Sequence, residues 1–256
     1  MKTSGILSKT IKYVLICAIW IALWTILALF VNNTVFLPSW QDVLMRLFEL
    51  FLNGNFWVTV FASLMRVLLG YLLGIILGIL FALTGKNDFV SGLFSPIKNI
   101  IRATPVASFI MLAWVWLTRN NIPSFVGMLM VVPVMWGNLS EGIKNFNGDY
   151  LKFARCYNLS KSKKIKHIYL PQLMPYFTSA LFTCSGLVWK AGIAAEVLCQ
   201  PQTSIGTQLF NAKSTLETTD LFAWTTVIIV ISLLLEKIVK VLLSIFNKKL
   251  KVSEEK

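Results

Sequence analysis

The sequence predicts an all-α polytopic membrane protein with about six spanning helices, and three observations carry that prediction. The chain is 56% hydrophobic and only 14% charged, with a mean hydropathy of +0.71. A soluble domain is nearer half apolar and a quarter charged. The apolar residues gather in long runs at 13–31, 57–84, 104–118, 122–141, 173–198 and 221–246. Such runs have the length of bilayer-crossing helices and lack the ten-residue alternation of barrel strands. The cations, finally, are segregated: only Arg46, Arg119 and Lys213 fall between spans on one side, with Arg66 and Lys190 inside them. All other Lys and Arg lie on the side of both termini, which the positive-inside rule makes cytoplasmic. The net charge of +13 therefore reports topology, and nucleic acid is not an expected partner.

Residues 1–35 comprise a short basic tail and the first span. Lys2, Lys9 and Lys12 precede an apolar stretch of about nineteen residues, longer than a secretory signal core, and no small-residue cleavage site follows. A retained helix is expected. Residues 36–56 read as an amphipathic helix on the outer surface, begun by Pro38 and Ser39 and ended by Gly54. Val43, Leu44, Leu47, Phe48, Phe51 and Leu52 recur at helical spacing along one face.

The remaining spans and their loops make one transmembrane domain, 57–247, followed by a basic tail, 248–256. In the second span Gly70, Gly74 and Gly78 line one face and allow close helix packing; the alternative is a face that slides during a change of state. Arg66 stands one turn back on that stripe, placed either to snorkel outward or to face a pathway. The third run is short and blurred by Pro105, and Pro123 and Pro133 fall in the fourth, either at a helix entry or as packing kinks, or as pathway-lining breaks. Lys190 and Glu196 lie in the fifth span. Ionisable groups at such depth are costly enough to suggest a role in a pathway or gate, the alternative being a pair with another helix, for instance with Arg66. Residues 199–220 read as an outer loop with a re-entrant helix. Cys17, Cys156, Cys184 and Cys199 are scattered, and the single His167 makes no metal site alone, so no cofactor is expected.

Between the fourth and fifth spans, at about 144–171, lies a compact basic island, "ARCYNLSKSKKIKHIYLP". A helical turn through Tyr150, Leu151, Phe153 and Ala154 meets Asn158, a residue at ease in the left-handed conformation that ends helices. Ser160 suits the cap of a second short helix, which Pro171 is expected to close. Ile165, Ile168 and Leu170 offer an apolar edge. Contact with anionic membrane lipid accounts for the cations alone, but not for this order of residues.

The island resembles the cytoplasmic Glu-Ala-Ala motif of permease subunits of bacterial ABC importers, the binding-protein-dependent class. That motif continues x-x-x-Gly, a spacer, and Ile-x-Leu-Pro. Ala154 matches its second alanine, Asn158 stands at the glycine, and Ile168, Leu170 and Pro171 complete it, while Lys152 and Phe153 depart from Glu and Ala. Lys for Glu reverses a charge. "FLPSWQDV" resembles the Leu-Pro-Ser/Pro segment after the first span of the same family, and "WKAGIAAEVL", "SIGTQLFNA" and "DLFAWTTVIIVISLLLEKI" resemble the last third of its nitrate/sulfonate/taurine branch.

The resemblance implies an ABC type I importer permease fold in the bacterial inner (cytoplasmic) membrane. It implies a homodimer of this permease, a cytoplasmic ATPase dimer and an extracytoplasmic binding protein that sets the solute, which in this branch is small and often anionic. The island would be the coupling segment. ATP would be used by the partner, since the chain has no G-x-x-x-x-G-K-[ST] loop, and the chain itself would be a transporter subunit rather than an enzyme. An ion-coupled secondary transporter would instead carry inverted repeats and several buried carboxylates. A coupling subunit of a vitamin-type importer would also dock ATPases through basic helices.

Overall fold

The computed structural model describes residues 3–84, 88–150 and 156–254, and among these the regular structure is helical throughout. The elements are α1 (Thr3–Val31), α2 (Trp40–Leu52), α3 (Gly54–Leu83), α4 (Asp88–Ala103), α5 (Val106–Ala113) and α6 (Ile122–Lys144). They continue with α7 (Lys161–Lys164), a π-turn (Ile165–Tyr169), α8 (Leu170–Cys199), α9 (Ile205–Ser214) and α10 (Thr218–Glu254). Among the described residues, four stretches are long and apolar enough to cross a membrane: Val14–Val31, Gly54–Leu83, Ile122–Lys144 and Lys161–Cys199. The last predicted run, 221–246, lies within α10, a helix of 37 residues.

α6 is the centre of the bundle, packed along α3 on one side and α8 on the other. The α3 contact runs along Gly70, Gly74 and Gly78, all buried. A Cβ at Gly70 would overlap the Ser124 carbonyl, one at Gly74 would stand 2.5 Å from Val131 Cβ, and one at Gly78 2.6 Å from Met135 Cβ. The two backbones approach closely because nothing projects between them. Polar side chains tie α8 in: Tyr71 Oη donates to the Leu181 carbonyl at 2.8 Å and Trp189 Nε1 to the Ile228 carbonyl at 3.1 Å. In hydrocarbon such bonds are worth roughly 1 kcal/mol each. Val67, Val131, Val188, Trp189, Ile193 and Trp224 fill the main core.

α2 is capped by Ser39, whose Oγ accepts from the Asp42 N–H at 3.2 Å. Its apolar residues divide: Val43 and Leu50 turn into the bundle, while Leu44, Phe48 and Leu52 remain exposed. The helix ends at Asn53 rather than Gly54, because Asn53 serves both neighbours. Its N–H closes α2 on the Leu50 carbonyl and its side chain accepts from Asn55 N at the start of α3. Arg46 joins α2 to α10 by a forked pair with Asp220 and also bonds Glu49 at 2.8 Å. These hydrogen bonds, Asp220 first, hold its guanidinium pKa above the ordinary value. α1 stands to one side, with no residue of its spanning stretch buried, and is anchored by Trp24 Nε1 on the Pro38 carbonyl at 3.0 Å.

Two sequence expectations need correction. The run 104–118 is not a single spanning helix. Pro105 has an extended ψ of 140° and separates α4 from α5, whose 8 residues reach only about 12 Å. The missing proline N–H and the restriction on Thr104 break the chain there. The fourth span agrees with the helix-entry reading of its first proline: Pro123 sits in the first turn of α6, where its N–H is not needed, and Pro133 is carried inside the helix. Pro171, lastly, does not close the short basic helix. The preceding turn widens to a π-turn, with the Leu170 N–H on the Ile165 carbonyl, and the chain runs on into α8. A turn of this kind makes room for a ring that would clash with an α-helical carbonyl.

Candidate functional site: a buried carboxylate joined by one helix to a basic bracket

Glu196, near the end of α8, has none of its surface exposed. Gln200, in the left-handed conformation at φ 48°, turns the chain sharply after α8. Ser204 then caps α9 through the Thr207 N–H at 3.0 Å, and α9 begins against Glu196. Gly206 permits this, since any Cβ there would overlap Glu196 Cβ and Val197 N.

The carboxylate is fully partnered. Oε2 accepts from Ser63 Oγ at 2.7 Å and from the Gly206 N–H at 3.2 Å, and Oε1 accepts from Arg66 Nη1 at 3.3 Å. Ser63 Oγ in turn accepts from the Ile205 N–H at 2.9 Å. Arg66 Nη1 also donates to the Thr203 carbonyl at 2.7 Å, and the Arg66 carbonyl accepts from Ser124 Oγ at 2.8 Å. α3, α6, α8 and α9 thus meet at one charged cluster. A buried ion pair survives only when its remaining hydrogen-bonding capacity is met, and the N-terminal amides of α9 help to meet it.

Of the three pathway candidates, Arg66 and Glu196 come together and Lys190 does not join them. The Arg66 side chain is 17% exposed and turns inward to its partner rather than snorkelling outward. Lys190 is exposed on α8, one turn beyond Gly186, where a Cβ would stand 3.3 Å from Glu236 Oε1 of α10. Ser63 and Thr203 are not singled out by the sequence, which marks Gly206 only as part of the outer loop 199–220. Ser63 could have been: it lies three residues before Arg66, on the same helical face.

At the other end of α8 is the bracket. Asn158 is left-handed at φ 46°. Ser160 is the N-cap of α7, its Oγ accepting from the Lys163 N–H at 3.4 Å and its carbonyl from the Lys164 N–H at 3.0 Å. Ile168 is buried at 7% exposure, whereas Ile165 is 59% and Leu170 40% exposed. The exposed apolar edge is therefore Ile165 and Leu170, while Ile168 is covered. Ala154, with Lys152, Phe153 and Arg155, lies outside the described residues. From Lys161 to Cys199 the chain is helical without a break for 39 residues, so the bracket and Glu196 are two ends of one rod.

Residues 74–252 match the family described as binding-protein-dependent transport system inner membrane component. The chain belongs to this family. The match takes in the bracket, Lys190 and Glu196 but begins after Ser63 and Arg66. Among its relatives, the bicarbonate transport system permease protein CmpB of Synechococcus elongatus is 30% identical over 191 residues, covering 73% of this chain and 68% of that one. The nitrate import permease protein NrtB of the same organism is 28% identical over 205 residues, 75% and 73% of the two chains. The taurine transport system permease protein TauC of Escherichia coli is 24% identical over 221 residues, 83% and 80%. These relatives put the permease in the nitrate/sulfonate/taurine branch of ABC importers. Its fold is shared with a solved amino acid ABC transporter at a TM-score of 0.60 and 16% identity, covering 80% of this chain and 96% of that one. It is shared equally with an alginate-importing ABC transporter at 0.60 and 14%, covering 94% and 97%. The protein is a membrane-embedded transport component.

Proposed function

We propose that this permease is the membrane subunit of an ATP-driven importer that takes a small anionic solute from an extracytoplasmic binding protein. It acts as a homodimer in the bacterial cytoplasmic membrane, with both termini and the bracket inside, where cytoplasmic ATPase subunits dock. The observation that carries this reading is the unbroken helix from the bracket to Glu196. A docked bracket shifted by nucleotide-driven closure of the ATPase would move that rod as a rigid body, which is how small displacements at one end become rearrangement at the other. Asn158 sets the bend, Ser160 caps the second arm, Ile168 and Pro171 fasten it to α8, and Ile165 and Leu170 supply the apolar contact.

At the far end the moving α8 carries Glu196 and, through it, α9. The cluster then acts as a latch between the helices that reorient. Lys190 faces the passage and attracts the anion. The solute class is supported by the names of the relatives, since bicarbonate and nitrate are anions and taurine bears a sulfonate. The sequence supports the cytoplasmic placement through its cation distribution, and the absence of a phosphate-binding loop motif supports a separate ATPase.

The test is purification of the intact permease from its native membrane with mass spectrometry of what accompanies it. The expected companions are an ATPase and a binding protein, which is then titrated with bicarbonate, nitrate and taurine. Well-folded permease that arrives with no ATPase would overturn the reading.

A further inference from the structure

Beside the bracket, where α3, α6 and α8 all reach their ends, lies a groove of about 450 Å³ lined by Leu83, Ile143, Phe146, Lys161, Lys164, Ile165, Tyr169 and Leu173. Its floor is apolar and comes from three elements: Leu83 closes α3, Ile143 lies in the last turn of α6, and Leu173 lies in the first turn of α8. Phe146 and Tyr169 form an edge-to-face pair at 5.1 Å along one wall. Lys161 and Lys164, three residues apart on one face of α7, supply the cations. Among the described residues the ion pairs involve only Arg46 and Arg66, so neither lysine is neutralised by a carboxylate there.

We propose that this groove is a binding site for an anionic phospholipid, its phosphate held by Lys161 and Lys164 and the upper part of an acyl chain laid on Leu83, Ile143 and Leu173. Position, lining and charge agree on this occupant. The ends of spanning helices lie where lipid headgroups lie. A groove that is apolar below and cationic above matches a molecule that is apolar below and anionic above. Each lysine near a membrane surface adds roughly 1 kcal/mol toward an anionic lipid. A bound lipid would brace α7 against α3 and α6. The inference does not depend on which solute is carried, nor on an ATPase being present. Ile165 is shared by the groove and the exposed edge of the bracket, and the test leaves it intact.

The experiment is native mass spectrometry of the purified permease in detergent, titrated with phosphatidylglycerol, phosphatidylcholine and soluble glycerol 3-phosphate. The proposal expects retention of phosphatidylglycerol alone, weakened about tenfold or more by K161Q/K164Q and by I143N. It expects little change in K163Q/K166Q, which removes the same charge from the same segment. Equal loss in both lysine pairs would mean diffuse attraction and overturn the site. So would phosphatidylcholine binding as well, glycerol 3-phosphate binding as well, or K161Q/K164Q costing ATPase co-purification while phosphatidylglycerol binding stays unchanged. Circular dichroism of each variant separates lost binding from lost folding.

Discussion

Ser63 of α3 and Glu196 of α8, 133 residues apart in sequence, are joined by a 2.7 Å hydrogen bond in the interior of the bundle. The serine passes the contact on, because the same hydroxyl accepts the Ile205 N–H. Removing one partner from so closed a network leaves the others buried without bonds, which costs more than the bond itself contributes.

Glu196→Ala should therefore destabilise the permease by about 3 kcal/mol or more, since it strands Arg66 in a dry site. Glu196→Gln keeps an acceptor for Ser63 and should cost clearly less. The paired change R66M/E196M removes both charges and should recover part of the loss. Thermal unfolding in detergent reads all three. Equal melting temperatures for the alanine variant and the wild type would show that the cluster is not a latch.

Gly74→Leu should force α3 away from Val131 of α6, lowering stability by roughly 2 kcal/mol or more. Gly54→Ala is the matched control, because nothing lies within 4 Å of a Cβ at that position. A Gly74→Leu permease as stable as the Gly54→Ala one would contradict the close approach of the two helices.

Ser160→Ala should weaken the start of α7 by about 1 kcal/mol. Asn158→Gly keeps the left-handed turn accessible, while Asn158→Val opposes it at roughly 1–2 kcal/mol. The prediction is that N158G couples ATP hydrolysis to uptake normally and N158V does not, measured in reconstituted vesicles. Normal coupling in N158V would separate the bend from function.

Lys190→Gln should lower anion uptake about tenfold while leaving thermal stability and ATPase association unchanged, because Lys190 joins no ion pair among the described residues. Unchanged uptake would take Lys190 out of the passage.

Much of this architecture can be read locally, and the rest depends on distant partners. Length and hydropathy identify the runs that become α3, α6 and α8 because burial in lipid demands apolar continuity. Asn158 and Ser160 are legible because caps and left-handed turns depend on one side chain and its own backbone. Pro171 misleads, since whether a proline ends a helix depends on whether the preceding turn can widen, and that is decided by how α8 packs. Ile168 likewise belongs to an apolar edge by sequence and is covered in the structure, because which face of a short helix is covered depends on the chain packed against it. The Arg66–Glu196 pairing could be named only as one alternative among several. No local pattern brings Ser63 or Gly206 to that carboxylate; α9 folding back after Gln200 does.

The central claim is that the bracket is the point at which a cytoplasmic ATPase acts on the helix that carries Glu196. Photo-crosslinking in native membranes tests it most directly, with the reactive group placed at position 170 on the exposed edge and, for comparison, at position 216 on the opposite end of the bundle. The account predicts a nucleotide-binding protein attached to position 170, with a yield that changes when ATP is added, and none attached to position 216. An adduct with the nucleotide-binding protein at 216 and none at 170 would contradict both the docking surface and the orientation of the chain.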